Sequence, residues 1–376
     1  MARSLLFSPI TVGGIDIPHR LWMPPMCQYS AAASGDELGR PNSWHLVHYG
    51  SRAQSGVAAV IVEATGVVPK GRISINCLSL HSDDQIPSFA ALATVIHEAG
   101  AAAFIQLSHA GRKASGRPMW EEDLGPVPHE CGGWTPEAPS SIPFQEGTTP
   151  PRQLDEDEVD AIADAFAQAA RRAMEAGFDG VQIHGAHGYL IHQFLSPASN
   201  TRDDQWGGDF EGRTRFLREI VRRTRASVGS GALMVRLSAT DWVEDDSHPG
   251  SHSWTLADTL RLAPLLVEDG VDMLNMSTGG NVITPVPAGP GYQVESARMT
   301  RQALRDAGLN TPIATVGLIR SAMQAEQILV GGDADVVEIA RPLLTDPMIG
   351  HVWAGQLRAE ATPLPAQYRR GVRRFI

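Results

Sequence analysis

Glu175-Ala176-Gly177-Phe178-Asp179-Gly180-Val181-Gln182-Ile183-His184 is the stretch that decides the fold of this 376-residue chain. A helical run ends on Glu-Ala, Gly177 caps it in a left-handed conformation, and a short apolar strand starts at once. The phrase recurs as EDGVDMLNMS (268–277) and GGDADVVEIA (331–340). HEAGAAAFIQL (97–107) and AQSGVAAVIVEA (53–64) are variants. Short, wholly apolar strands alternating with longer amphipathic helices predict a parallel sheet covered by helices. Strands are expected near 21–26, 57–64, 102–107, 180–184, 232–237, 271–276, 312–316 and 335–340. Helices are expected near 43–55, 85–99, 155–176, 211–228, 255–269, 296–308, 321–331 and 343–356. Eight strand–helix pairs point to an α/β fold, a (β/α)8 TIM barrel, with Rossmann-like open sheets as the alternative. The interval 108–154 is rich in Pro, Gly and Trp and has no helical period. It follows the third strand, so it reads as a loop excursion over the C-terminal face; 278–294 reads as a second one. Residues 1–376 are expected to form a single barrel domain, with a C-terminal tail over 357–376.

Bulk composition narrows the function. Hydrophobic residues make up 43% and charged residues 19%, enough apolar content for a sizeable core. The net charge of −11 disfavours a nucleic-acid partner. No apolar run is long enough to span a bilayer, and MARSLLFSPI lacks a signal-peptide core. A cytoplasmic protein without membrane partners is the expectation. Cys27, Cys77 and Cys131 are far apart in sequence and form no C-x-x-C pair, so neither a disulfide framework nor a metal site is expected.

In this register the residues closing the strands gather at the C-terminal face, where such barrels keep their active sites: Cys27, Gln106, His184, Arg236 and Ser277, with Arg341 just past the eighth strand. His187 and Tyr189 follow His184 in a tight turn. Two neutral imidazoles can donate hydrogen bonds to one substrate oxygen, and a tyrosine beside them can supply a proton. That set polarises a carbonyl but carries no electrons, so a second component must do the hard step. Metal binding would want a third ligand; His192 is the available histidine but is expected to lie further along the loop or helix. His19, His45, His81 and His97 read as structural. Arg341 is placed to hold a phosphate, the alternative being an ion pair with Asp346. Arg236 suits an electron-rich edge of a cofactor, the alternative being a buried Arg–acid pair.

These residues resemble the old yellow enzyme family of flavin-dependent ene-reductases, from near residue 5 to near 371. The resemblance is carried by PPMCQYS (24–30), IVEATGV (61–67), IQLSHAGRKA (105–114), IHGAHGYLIHQFLSPASNTRDD (183–204), VRLSATDW (235–242), TVGLI (315–319), IARPLLTDP (339–347) and PAQYRRG (365–371). The Cys-x-Tyr of 27–29 and the C-terminal QYRRG are similar to the thermophilic-like branch, which includes the xenobiotic reductases. The resemblance implies bound FMN, with NADPH or NADH as the transient reductant in a ping-pong cycle, and electron-poor alkenes as substrates. It implies that Pro25, Met26, Cys27 and Ala64 line the flavin, that Gln106 and Arg236 bond its pyrimidine edge, and that Gly317, Ala340 and Arg341 hold its phosphate. It implies that His184 and His187 grip the substrate oxygen, that Tyr189 donates the proton, and that Cys27 and Tyr29 shape the pocket. It also implies a homodimer or homotetramer in which Arg370 enters the neighbouring active site.

The chain departs from the family pattern in places. Ala340 stands where the family has Gly before the phosphate Arg. Trp206-Gly207-Gly208 replaces Tyr-Gly-Gly, Gly212-Arg213 replaces Asn-Arg, and the tail continues to VRRFI. Other classes remain in view. A barrel aldolase or phosphosugar isomerase would want a strand-end Lys or Glu base, and no expected strand ends in Lys. A dihydrouridine synthase would want a basic surface and an RNA-binding appendage. A non-catalytic ligand binder leaves the His-His-Tyr set without a purpose.

Overall fold

The computed structural model describes residues 4–122 and 125–372. Residues 1–3 and 373–376, the last including Arg373 and Arg374 of the tail, lie outside the described residues. Eight parallel strands close into a barrel: β1 (Leu21–Met23), β2 (Ala59–Gly66), β3 (Ala102–Ser108), β4 (Gly180–Gly185), β5 (Ala232–Ser238), β6 (Met273–Ser277), β7 (Ile313–Thr315) and β8 (Val336–Glu338). β8 pairs with β1 through Val337–Leu21, which closes the ring. Around it run α1 (Ser43–Ala53), α2 (Ile86–Glu98), α3 (Glu156–Glu175), α4 (Phe210–Val228), α5 (Leu256–Glu268), α6 (Val294–Asp306), α7 (Ala322–Val330) and α8 (Ile349–Gln356). The glycines of the recurring joint sit where only glycine is at ease: φ is 89° at Gly177, 107° at Gly270 and 75° at Gly332.

Two departures in boundary and one added element have a backbone reason. β1 stops at Met23 instead of running to 26, because Pro24 and Pro25 have no N–H for a ladder. The helix expected over 343–356 is split into Arg341–Thr345 and α8, with Pro347 between them. A short hairpin, Ile10–Val12 with Ile15–Ile17, precedes the barrel and was not expected. Its signal was present: Gly13-Gly14 between alternating apolar residues.

Side chains two apart on a strand share a face. Trp22, Ile61, Phe104, Met234, Met273 and Val336 form an apolar layer in the barrel interior, with Val12 and Ile17 of the hairpin packed onto it. Trp22 stacks on Phe104 at 5.7 Å. Two residues further along the same strands stand Gln106, Arg236, Asn275 and Glu338, joined by Gln182 of β4; all five are buried. The barrel is therefore greasy at its base and polar at its C-terminal end. The interval between β3 and α3 carries two short paired strands, Glu137–Ala138 and Arg152–Gln153, and no α-helix among its described residues.

Candidate active site

The turn after β4 is over-determined. His187 adopts φ 60°, unusual for a residue with a side chain. Its N–H donates to Ser238 Oγ at 2.9 Å, and the Ser238 hydroxyl donates to the Gly279 carbonyl at 2.8 Å. Gly188 follows at φ 69°, and its N–H donates to His192 Nδ1 at 3.0 Å. His192 Nε2 lies 3.1 Å from the Asp241 carboxylate, both side chains fully buried. Lys113 Nζ ties this turn to the second excursion, donating to the His187 carbonyl at 2.8 Å and the Gly280 carbonyl at 3.0 Å. Burial, reinforced by the Arg112 charge, pulls the Lys113 ammonium down to about 8.

His184 sits at the centre of three rings. Its centroid is 5.0 Å from that of His187 and 4.9 Å from that of Tyr189, each pair nearly perpendicular. The Ala186 N–H donates to His184 Nδ1 at 3.3 Å, so the His184 proton belongs on Nε2. Nε2 faces His187 Nδ1 at 3.3 Å, and His187 Nε2 is 2.7 Å from Ser277 Oγ. Burial drives both imidazoles well below the usual histidine range, and the Arg236 charge pushes the same way. They are neutral donors at physiological pH. Burial raises the Tyr189 phenol, and the Cys27 and Cys77 thiols add to it, so its proton stays on.

Beneath this turn lies the polar layer. Gln106 Nε2 donates to Gln182 Oε1 at 2.7 Å. The Glu338 carboxyl faces the Asn275 amide, while Arg236 Nε and Gln182 Nε2 are buried without a hydrogen-bond partner. Such atoms are expensive unless a further molecule satisfies them. A cavity starts at His187 and Ser277, runs past Arg236 and Glu338, and ends at Gly317, Arg320, Ala340 and Arg341. Gly317 has φ 121°, and a Cβ there would stand 3.2 Å from the Tyr292 ring. Arg341 has no ion pair with Asp346 among the described residues; the Asp346 carboxylate instead accepts the Met348 N–H at 2.8 Å. Arg236 and Glu338 both line the cavity, and the Glu338 carboxyl acts on the Arg236 charge.

The third wall comes from the segment after β1. Pro25 and Met26 are half-buried and lead into Cys27, whose thiol meets the Cys77 thiol and the backbone of Ala64, itself buried at the end of β2. The two cysteines far apart in sequence are thus neighbours. Tyr29 takes φ 48° and sets its ring edge-on to Trp120 at 5.6 Å. Burial raises its phenol, and the proximity of Cys27 and Tyr189 adds to that. Arg370 is exposed on the last described turn, Arg369–Val372. Sequence reading missed Lys113, Arg320, Glu338 and the His192–Asp241 pair. Of these only Arg320, one residue past TVGLI, lay where a phosphate group was already expected.

A parallel barrel with a polar floor of unsatisfied groups and two arginines at the far end of its cavity defines a protein that holds an elongated, phosphate-bearing cofactor. Residues 5–358 match the model of the NADH:flavin oxidoreductase / NADH oxidase family, and the chain belongs to that family, as an FMN-dependent NAD(P)H oxidoreductase of the old yellow enzyme type. It is 42% identical over 371 residues to the NADPH dehydrogenase of Geobacillus sp. (strain WCH70), covering 99% of each chain. Among solved structures it is similar to morphinone reductase in complex with tetrahydroNAD, with TM-score 0.74 and 26% identity over 96% of this chain and 93% of that one. It is also similar to the old yellow enzyme homologue from Zymomonas mobilis, with TM-score 0.73 and 26% identity over 96% and 95%. The chain spans about half (52%) of a longer 2-naphthoyl-CoA reductase at TM-score 0.80 and 23% identity, a likeness of fold alone.

The residues present fit FMN. Arg236 and Gln182 have buried, unpaired N–H groups for an edge carrying C=O and ring nitrogens. Arg320 and Arg341 supply charge for a phosphate after β7 and β8, the place such barrels use. No helix among the described residues is long and apolar enough to cross a membrane, and no cluster of three or more His, Cys, Asp or Glu among them could hold a metal.

Proposed function

We propose that the protein reduces the activated C=C bond of α,β-unsaturated carbonyl compounds and related electrophiles, with NAD(P)H and alkene using the same pocket in turn. When bound, FMN supplies the redox chemistry, accepting hydride from NAD(P)H and delivering it to the alkene β-carbon. The chain's residues do the rest. His184 and His187 hold the substrate's activating oxygen and stabilise the charge that develops on it, a preorganised electrostatic contribution. Because they are neutral, they donate hydrogen bonds without giving up a full proton. Tyr189, its phenol protonated, delivers a proton to the α-carbon.

Cys27 and Tyr29 wall the pocket, and Pro25, Met26, Ala64, Gln106, Arg236, Gly317, Ala340 and Arg341 hold the cofactor. Arg370 completes the pocket of a neighbouring subunit in a homodimer or homotetramer. The observation that carries this reading is the three-ring cluster, with a tyrosine ring 4.9 Å from a neutral, buried histidine. His187 engages Ser277 and His184 in the structure, so a substrate oxygen must take over one of those contacts.

The test is anaerobic. NADPH should bleach the flavin's visible absorption, and a cyclic enone should restore it with formation of the saturated ketone. A flavin that NADPH reduces but that neither enone, maleimide nor nitroalkene reoxidises would refute the proposal.

A further inference from the structure

One buried acid near this pocket has no part in the chemistry just described. Glu63, near the end of β2, is 0% exposed. A lone ionised carboxylate at such depth is costly, so it must be surrounded by donors. Its Oε2 accepts the Gln28 N–H at 2.8 Å, and the Tyr29 backbone N–H is directed at the same carboxylate. Its Oε1 accepts the Tyr49 hydroxyl at 3.2 Å, and the Tyr49 oxygen accepts the Glu63 N–H at 2.8 Å. His45 Nε2 lies 3.6 Å from Oε1.

Two of these donors are consecutive amides of the segment that carries Cys27 and Tyr29. That segment is held in an unfavourable shape. Tyr29 has φ 48°, which costs a residue with a Cβ about 1–2 kcal/mol and persists only where neighbours impose it. Other ties hold the turn at its flanks: Gln28 Nε2 donates to the Met26 carbonyl at 2.8 Å, the Ser30 hydroxyl to the Gln28 carbonyl at 2.8 Å, Asn42 Nδ2 to the Ser30 carbonyl at 2.7 Å, and the Ala31 N–H to the Asn76 carbonyl at 2.9 Å. Glu63 reaches the turn through the turn's main-chain amides from the α1 side of β2, where the strand's register shifts between Val62 and Thr65.

We propose that Glu63 is the positioning residue of the substrate-pocket wall, its carboxylate fixing Cys27 and Tyr29 through the Gln28 and Tyr29 amides. The proposal rests on the reading of Cys27 and Tyr29 as pocket residues. Glu63 touches neither cofactor nor substrate in this role; it acts through the turn. Tyr49 and His45, both on α1, buttress the carboxylate from behind. Cys27 and Tyr29 on the turn and Cys77 from the loop after β2 are the other titratable groups that face it. Burial foremost, then the Cys77 thiol, pushes the Glu63 carboxyl up to about 8, while the Gln28, Tyr49 and Tyr29 donors pull it back.

Two holoenzyme variants test it, Glu63→Gln and Tyr49→Phe. Phenol binding is followed through the flavin's visible spectrum, alongside enone KM and kcat, the rate of reduction by NADPH, and FMN content. Measured above pH 8, where Glu63 is ionised, the hydrogen bonds it accepts are those to a charged group, which are strong, and tenfold corresponds to 1.4 kcal/mol. Glu63→Gln should therefore keep its FMN, weaken phenol about tenfold and raise enone KM by a similar factor, with kcat changed less. Tyr49→Phe, which removes a buttress and leaves the acid, should shift both the same way by a smaller factor. Wild-type phenol affinity and KM in Glu63→Gln would overturn the proposal, as would a loss of thermal stability alone with KM unmoved. If Glu63→Gln does not fold, Tyr49→Phe decides, and unchanged phenol affinity with unchanged KM in it is the overturning result. The phenol titration needs no turnover, so it judges Glu63 even if enones prove not to be substrates.

Discussion

Gly188→Ala should disable the pocket while sparing the cofactor. Gly188 has φ 69°, and a side chain in that conformation costs about 1–2 kcal/mol by itself. Sterics add more. The new Cβ would stand 2.1 Å from the Gly280 carbonyl oxygen and 2.6 Å from Asn281 Cα, both backbone atoms. Relief to an ordinary contact of ~3.5 Å requires the two loops to part by roughly 1.4 Å. They cannot part freely, because Lys113 bridges the His187 and Gly280 carbonyls and His192 grips the Gly188 amide. The strain must therefore fall on the flanking residues, which are His187 and Tyr189. A misplacement of that size typically costs ~10²-fold in rate.

Stopped-flow measurement of enone-driven reoxidation should show a loss of that order, with weakened phenol binding and full FMN content, since the polar floor is untouched. Gly208→Ala is the control. Gly208 has φ 73° but open space around the added Cβ, so it should cost stability only. A Gly188→Ala enzyme whose reoxidation rate and phenol affinity lie within twofold of wild type would show that the 187–189 turn does not set the chemistry.

Tyr189→Phe should slow enone-driven reoxidation by ~10²–10⁴-fold and leave reduction by NADPH nearly intact; equal slowing of both half-reactions would mean that Tyr189 orients both ligands and is not the acid. Arg370→Ala mixed with Tyr189→Phe should recover activity in verified mixed oligomers if Arg370 serves a neighbour's pocket, and a monomer by light scattering removes it from the site. Thermal stability should fall as pH drops below ~6.5, the ordinary histidine value. The buried His184 and His187 stay neutral in the fold, as do His109 and His45 down to about 4 and His19 and His48 down to about 3, while the unfolded chain protonates first. Each such group contributes up to ~1.4 kcal/mol per pH unit across its window, opposed in part by His97, whose value is raised by the hydrogen bond to Asp179, and by the buried Glu63 and Glu338 carboxyls, which burial raises. A melting temperature flat between pH 7 and 5 would contradict the burial of these rings.

The barrel was legible because its signal is local. Gly177, Gly270 and Gly332 end their helices in the left-handed conformation that the recurring phrase demands. The strand-end residues were legible for the same reason: a strand of known direction places Gln106, His184 and Arg236 on one face by counting. What escaped was set by distances along the chain that no period encodes. Lys113 meets His187 and Gly280 only because two excursions fold over the same rim. His192 reads as a spare histidine until Asp241, 49 residues later, closes on it. Cys27 and Cys77, 50 residues apart, meet because the segment after β1 lies against the loop after β2. Glu338 sits inside GGDADVVEIA, where a strand pattern gives a charged residue no obvious place, and period two then turns it into the barrel with Val336.

The polar layer also explains why such a sequence tolerates its own interior. Strand interiors in an all-parallel barrel are ordinarily apolar on both faces. Here the inward positions change from Met234 to Arg236, from Met273 to Asn275 and from Val336 to Glu338 within two residues. Each buried polar atom left without a partner costs ~1–3 kcal/mol, so the Arg236 Nε and Gln182 Nε2 donors call for a further molecule to satisfy them. A fold that is stable by only ~5–15 kcal/mol keeps such a layer only if binding repays it. FMN would do so at the Arg236 edge of the cavity, where the buried Nε can donate to a group rich in acceptors. The same groups that are costly to bury are therefore those suited to hold a cofactor, and the hydrophobic base below them, closed by Trp22, Phe104 and the N-terminal hairpin, offsets their cost.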